Sequence, residues 1–244
     1  MRTVIIVQAR MTSTRLPGKV LKAVNGKPLL EYQIERLQKV TANEIVVATT
    51  QNETDLPIVE LCERLHIACF RGSENDVLAR YYGAAKQYKA DIVVRVTSDC
   101  PLLDYRIINL AVEHFKNNIN KLDYVSNSIE ETYPRGMDVE VFSFKALEEA
   151  YRQAVDIPDR EHVTPYLYRH PDKYRLSNIP YRKNISAHRW TVDTIEDYTL
   201  VSKIIECLYP INPGFSMEDI LCLIKQHPDW CLLNQHVKQK TYGE

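Results

Sequence analysis

The sequence predicts an α/β domain built on a mostly parallel, Rossmann-like sheet flanked by helices. Three observations point there. Short β-branched apolar runs alternate with segments of helical period through the first half of the chain. The first of these runs leads into a loop crowded with cationic and hydroxyl side chains, and the fourth leads into T-S-D-C-P-L-L-D. Both polar clusters therefore fall at the carboxyl ends of strands, where open sheets of this kind bind their ligands.

Taken in order, Val4 to Val7 is a continuous apolar run and reads as a buried central strand. After it Arg10, Ser13, Thr14, Arg15 and Lys19 crowd together, with Pro17 and Gly18 enforcing a bend. Arginine forks, a lysine point charge and hydroxyls suit a polyphosphate, although a basic loop also has a plain reading as a solvated turn. Pro28 can open a helix that carries Leu30, Ile34 and Leu37 inward as far as Val40. Glu44 to Thr49 reads as a second strand, Asp55 to His66 as a helix, and Ile67 to Phe70 as a third strand. Ser73 can cap a helix running to about Lys89, and Asp91 to Val96 is a fourth β-branched strand.

Asp99 leaves the end of that fourth strand, with Pro101 stopping it and Asp104 placed to cap the next helix. Asp99 is either a ligand for a hard cation such as Mg²⁺, which binds through one or two carboxylates plus substrate phosphates, or a further turn residue. Met137 to Phe142 alternates like a strand, with Asp138 and Glu140 on one face. These two and Arg135 either contact a ligand or form a solvated sheet face. Toward the end of the chain, Thr194 and Asp197 form a capping-box variant, and Ser216 can cap a last helix ended by His227-Pro228. Trp230 to Leu233 is expected to pack back on the domain or on a second subunit, and Asn234 to Glu244 to be partly disordered.

Composition narrows the class. With 244 residues, 45% hydrophobic and 26% charged, the chain can bury one sizeable core. A net charge of −1 gives no global footprint for nucleic acid, so an anion must be met by a local cluster. The six cysteines show no CxxC and no framework spacing, and no stretch approaches the ~20 apolar residues of a spanning helix. Reduced thiols, no membrane partner and a cytoplasmic location are the expectations. The histidines lack ligand spacing, and neither Ser13 nor Ser98 lies in a nucleophile elbow.

The opening loop has no GxGxxG and no GxxxxGK[ST]. Its order A-R-x-x-S-T-R-L-P-G-K, followed by N-G-K-P-L-L, resembles the opening of sugar nucleotidyltransferases, above all the cytidylyltransferases. CMP-Kdo synthetase, CMP-N-acetylneuraminate synthetase and the spore-coat polysaccharide protein F group share it. The resemblance is strong over residues 4–30 and 92–104, good over 190–197 and loose between. It implies the nucleotide-diphospho-sugar transferase fold and transfer of a nucleotide from CTP to a sugar, most simply an acidic one, for surface polysaccharide synthesis. It also implies a nucleotide-binding half over 1–122, an acceptor-binding and dimerisation region over 123–189, and a homodimer.

Residue by residue, it implies metal-ligand roles for Asp99 and, through W-T-V-D-T-I-E-D, for Asp193, with Mg²⁺ between them. Arg10, Arg15 and Lys19 would stabilise the departing pyrophosphate, and Val7, Gln8, Ala9, Ser13 and Ser98 would complete the nucleotide site. The arginine of a T-[ED]-R segment that reads cytosine in CMP-Kdo synthetases is missing, with Asp76 in its place, so the expected readers are backbone groups of residues 7 to 9, or Arg71, Ser73, Asn75 or Arg80. The E-H-V-T-P-Y segment resembles the spore-coat group and makes Arg160, Glu161, His162 and Tyr166 acceptor-pocket or dimer-interface candidates. Alternatives are a glycosyltransferase using a nucleotide-sugar, which should carry a D-x-D where this chain has S-D-C, and a non-catalytic nucleotide-binding homologue.

Overall fold

A computed structural model describes residues 1–238. In chain order the elements are β1 (Thr3–Gln8), β2 (Ala23–Val24), β3 (Lys27–Pro28), α1 (Leu29–Leu37), β4 (Glu44–Thr50), α2 (Leu56–Arg64), β5 (Ala68–Gly72), α3 (Val77–Gln87), β6 (Ile92–Thr97) and α4 (Tyr105–Asn117). There follow β7 (Tyr124–Ser126), β8 (Glu140–Ser143), α5 (Phe144–Gln153), α6 (Ile157–His162), α7 (Pro165–Tyr168), β9 (Leu176–Asn178), α8 (Ile195–Leu208) and α9 (Met217–Gln226).

Seven strands form one sheet in the order β5-β4-β1-β6-β8-β7-β9. β1 lies between β4 and β6, parallel to both, and only β8 runs against its neighbours. Alternation along the central strands separates the two faces. Ile5, Val7, Val94 and Val96 pack with α1, α2, α4, α8 and α9, whereas Val4, Ile6 and Val93 pack with α3, α5 and α7. Both sides of β1 are thus buried, the reason its sequence is an unbroken apolar run. The strands β7 to β9 of the 123–189 stretch join the sheet of the first half, extending the same frame rather than starting another.

Several local expectations change. The cap of α3 is Asp76, whose carboxylate accepts from the Ala79 N–H, while the Ser73 hydroxyl accepts from the Asp76 N–H. The predicted strand from Met137 starts at Glu140. Asn25-Gly26 makes the turn of the β2–β3 hairpin, both residues at positive φ as a primed turn requires, and Pro28 becomes the cap of α1. Asn234, at the start of the stretch expected to be partly disordered, is buried, and residues 239–244 of that stretch lie outside the described residues. Trp230, Cys231 and Leu233 pack against the core as expected. All six cysteines are free, and no helix among the described residues is long and apolar enough to cross a membrane.

Candidate active site

The loop after β1 is pinned at both ends. Asp55, fully buried beside the end of β4, accepts from the Met11 N–H at 2.8 Å and from the hydroxyls of Thr49 and Thr50. Burial alone would raise its pKa, but these donors outweigh it and hold the group ionised. At the other end Gly18, at φ 67°, returns its N–H to the Met11 carbonyl at 2.9 Å. That closure directs Lys19, which follows it, into the molecule.

Lys19 is 9% exposed and lies between the two predicted carboxylates. Its Nζ donates to Asp99 Oδ2 at 2.9 Å and to Asp193 Oδ1 at 2.8 Å. Desolvation would lower its pKa, yet the two carboxylates raise it above the ordinary lysine value. Asp99 is held at about 2: burial opposes its charge, and Lys19 with hydrogen bonds from Thr97, Lys19 and Cys100 overcomes that. The other oxygen of Asp193 faces Arg15 and Arg189, each at 2.8 Å. Arg189 also reaches Asp197, so three carboxylates and three cations interlock where β6 ends and α8 begins. Asp193 and Asp99 come together because the Val192 N–H bonds the Asp99 carbonyl at 2.8 Å, tying the two loops side by side.

Arg10 points elsewhere, toward Glu74 at 3.9 Å. Glu74 also accepts from the Thr12 hydroxyl and the Asn52 amide, both at 2.5 Å, joining the loop after β1 to the one after β5. The remaining nucleotide-binding candidates divide. Ala9 and Ser98 lie at the strand ends, the Ser98 N–H on the Gln8 carbonyl, and Ser13, Ser73 and Asn75 border the loops. Arg71 spends its guanidinium on the carbonyls of Thr50, Gln51 and Asn52. Arg80 is 2% exposed and bonds the Ser73 carbonyl, with its pKa lowered by burial.

The acceptor candidates also separate. Glu140 is buried in an ion pair with Arg95 across β6 and β8, and it accepts from the Tyr124 and Thr164 hydroxyls at 2.6 and 2.5 Å. Thr164 is aimed there by Val163, a β-branched residue at φ 75° whose neighbours close a γ-turn, the Thr164 N–H on the His162 carbonyl. Arg160 joins Asp76 to the end of α5, bonding the Tyr151 and Ala154 carbonyls. Glu161 is exposed, Tyr166 buried, and burial lowers the pKa of His162. Asp138 and Arg135 instead line a shallow polar surface pocket with Asn127, Ser128, Glu131, Tyr133 and Ser186. The Arg135 N–H bonds the His188 carbonyl and the Trp190 N–H bonds the Arg135 carbonyl, which places the pocket beside the segment that leads to Asp193.

Sequence reasoning missed Asp55, Arg189 and Asn234. For Arg189 a signal existed in R-W-T-V-D-T-I-E-D, a cation spaced to meet two acids, whereas nothing local marks the other two.

Against known proteins, a family model described as cytidylyltransferase matches residues 4–231. An uncharacterized protein of Methanocaldococcus jannaschii is 39% identical over 100% of this chain and 99% of its own length. Spore coat polysaccharide biosynthesis protein SpsF of Bacillus subtilis is 31% identical over 92% of this chain and 94% of its own. Among solved structures, a cytidylyltransferase from Leptospira borgpetersenii superposes with a TM-score of 0.91 at 36% identity, over 99% of this chain and 100% of that one.

Proposed function

The chain belongs to the cytidylyltransferase family, and from that premise we propose that it transfers CMP from CTP to a hydroxyl of an acidic sugar destined for surface polysaccharide. The observation that carries the reading is Lys19 between Asp99 and Asp193 at the carboxyl edge of the sheet. A cation already occupies the point where both carboxylates converge, which is the donor set Mg²⁺ takes up with substrate oxygens. Asp99 and Asp193 would hold the metal, and when bound it would neutralise phosphate oxygens and make the acceptor hydroxyl more acidic.

The protein's own groups do the rest. The acceptor oxygen, its hydroxyl proton passing to water, bonds to the α-phosphorus as the bond to the bridging oxygen of pyrophosphate breaks, and pyrophosphate leaves. Lys19 and Arg15, turned from the carboxylates to the triphosphate, meet the charge that develops on the leaving group, and Arg10 joins them from the loop rim. The loop fixed by Asp55 and Gly18 keeps these groups from reorganising during transfer. For the acceptor, support comes from the pocket beside the segment that leads to Asp193. There Arg135 stands 3.7 and 3.8 Å from Asp138 and Glu131, too far for a hydrogen bond and free to turn to a carboxylate. The name of the Bacillus subtilis relative supports the polysaccharide destination.

The test is melting temperature with CTP, UTP, GTP and ATP, each with and without Mg²⁺, followed by pyrophosphate release with Kdo, N-acetylneuraminate and neutral hexoses. A ligand at ~100 times its Kd stabilises by about 2.7 kcal/mol, a readable shift. CTP with Mg²⁺ should give that shift and Asp99→Asn should abolish it. A larger shift with another triphosphate would change the product, and turnover confined to neutral hexoses would overturn the acidic acceptor.

A further inference from the structure

Asp193 is fixed in one rotation by groups behind it. Its Oδ1 faces Lys19 and, past it, Asp99, while its Oδ2 is held by Arg15 and Arg189. On the proposed mechanism Arg15 leaves for the triphosphate, and Arg189 alone then keeps Oδ1 turned toward the cation position. Arg189 is itself held by Asp197 through two parallel hydrogen bonds of 2.9 and 3.0 Å, a geometry that fixes the plane of the guanidinium. Behind Asp197 lies Asn234, 3% exposed. Its Nδ2 donates to Asp197 Oδ1 at 2.8 Å and to the Arg189 carbonyl at 3.0 Å.

We propose that Asn234 is a positioning residue for the second carboxylate of the active site, acting through Asp197 and Arg189 on Asp193. The inference rests on the metal pairing of Asp99 and Asp193 put forward above. Both partners of the Asn234 amide are acceptors, so its two N–H groups must face them, and an amide nitrogen supplies both from one side chain. Helix capping does not require it. The Asp197 carboxylate and the Thr194 hydroxyl already complete the capping box of α8. What the amide adds is a bond on the oxygen through which Asp197 grips Arg189 Nε, and a tie to the backbone of Arg189. A segment far along the chain thereby sets the orientation of a carboxylate that β6 and α8 only bring near.

The test titrates Mn²⁺ into the full chain with CTP present and follows free Mn²⁺ by electron paramagnetic resonance. Groups that orient a metal ligand typically change affinity by about 10–100-fold when removed. Asn234→Ala should weaken Mn²⁺ about tenfold, with metal-free CTP binding unchanged. Asn234→Asp should weaken it further, because it turns a carboxylate on a carboxylate and a carbonyl. Leu233→Ala, which loosens packing of the same segment, should lower the melting temperature and leave Mn²⁺ affinity alone. Wild-type Mn²⁺ affinity in Asn234→Ala, or an equal loss in Leu233→Ala, overturns the assignment. If wild type binds Mn²⁺ no better than Asp99→Asn, the metal pairing itself is overturned, a result visible without any Asn234 variant.

Discussion

Two clusters of buried charge lie near the carboxyl edge of the sheet, and they are built differently. Around Asp193, cations from the loop after β1 and from the segment before α8 converge on carboxylates that still reach the surface: the Arg15 side chain is 29% exposed and that of Asp99 24%. Around Glu140, Arg95 approaches from the neighbouring strand, two hydroxyls close from the other sides, and the Arg95 guanidinium sits 5.8 Å from the centre of the Tyr81 ring. The first cluster can exchange partners, because a ligand with its own charges can enter as each pair parts. In the second, both Glu140 oxygens are already met inside the protein, so it serves as frame. Identical residue types thus have opposite uses, decided by whether water and substrate can reach them.

Substitutions in each cluster can break this contrast. Asp99→Asn should lower kcat/KM for pyrophosphate release by about 10³-fold, roughly 4 kcal/mol of barrier, and stability by the roughly 2 kcal/mol that its charge supplies, since the amide still accepts from Lys19 but is neutral. Glu140→Ala should cost stability without costing catalysis. Removing one member of a buried pair leaves the other uncompensated and costs about 3 kcal/mol of stability, read by urea denaturation, while CTP affinity of the folded protein holds. Should Glu140→Ala instead abolish CTP binding with stability intact, Glu140 belongs to the site and the distinction fails.

Acid sharpens the same comparison at smaller scale. Asp99 is held at about 2 against an ordinary value of 3.8, so its contribution to stability is complete above about pH 4 and lost as pH falls through 2. Its size is roughly 2 kcal/mol. The denaturation midpoint of wild type should therefore fall more steeply between pH 5 and pH 2.5 than that of Asp99→Asn. Parallel curves would show that Lys19 does not hold Asp99 ionised.

The two clusters also differ in how far the sequence reveals them. Val4 to Val7 announces a central strand by composition, and the donors after it are contiguous, so half of the first cluster is legible over ten residues. Asp99 and Asp193 follow from motif order, but that Lys19 bridges them depends on a backbone bond between loops far apart in sequence. For Glu140 the sequence leaves a ligand contact and a solvated face both open, because alternation reports which residues share a face and says nothing of what the neighbouring strand presents there. Arg95 supplies the missing partner, and it lies 45 positions away. Arg160 and Asp76 are a similar pair, joined at 84 positions. Ser73 offers a capping hydroxyl in the sequence, and only the backbone geometry shows that the Asp76 carboxylate takes that role. Asn25-Gly26, by contrast, carried a hairpin signal in plain sight.

Asp138 lies between the two kinds of cluster and gives the smallest and most discriminating prediction. Burial pushes its carboxyl above the ordinary range, with Arg135 and the Gly136 N–H opposing, so its charge is held against desolvation. An acid whose pKa is raised by folding binds its proton more tightly in the native state, and at neutral pH the ionised form weakens the fold. Asp138→Asn keeps the shape and removes that charge, so it should melt slightly higher than wild type at neutral pH. If the pocket receives the acceptor, the same variant should raise the acceptor KM several-fold, roughly 1 kcal/mol for one lost hydrogen bond, with the KM for CTP unchanged. Wild-type acceptor affinity should also decline as pH falls toward the raised pKa, and the variant should lack that decline. A higher melting point with no change in acceptor KM would make Asp138 part of the frame, like Glu140, and would move the acceptor to another face of the site.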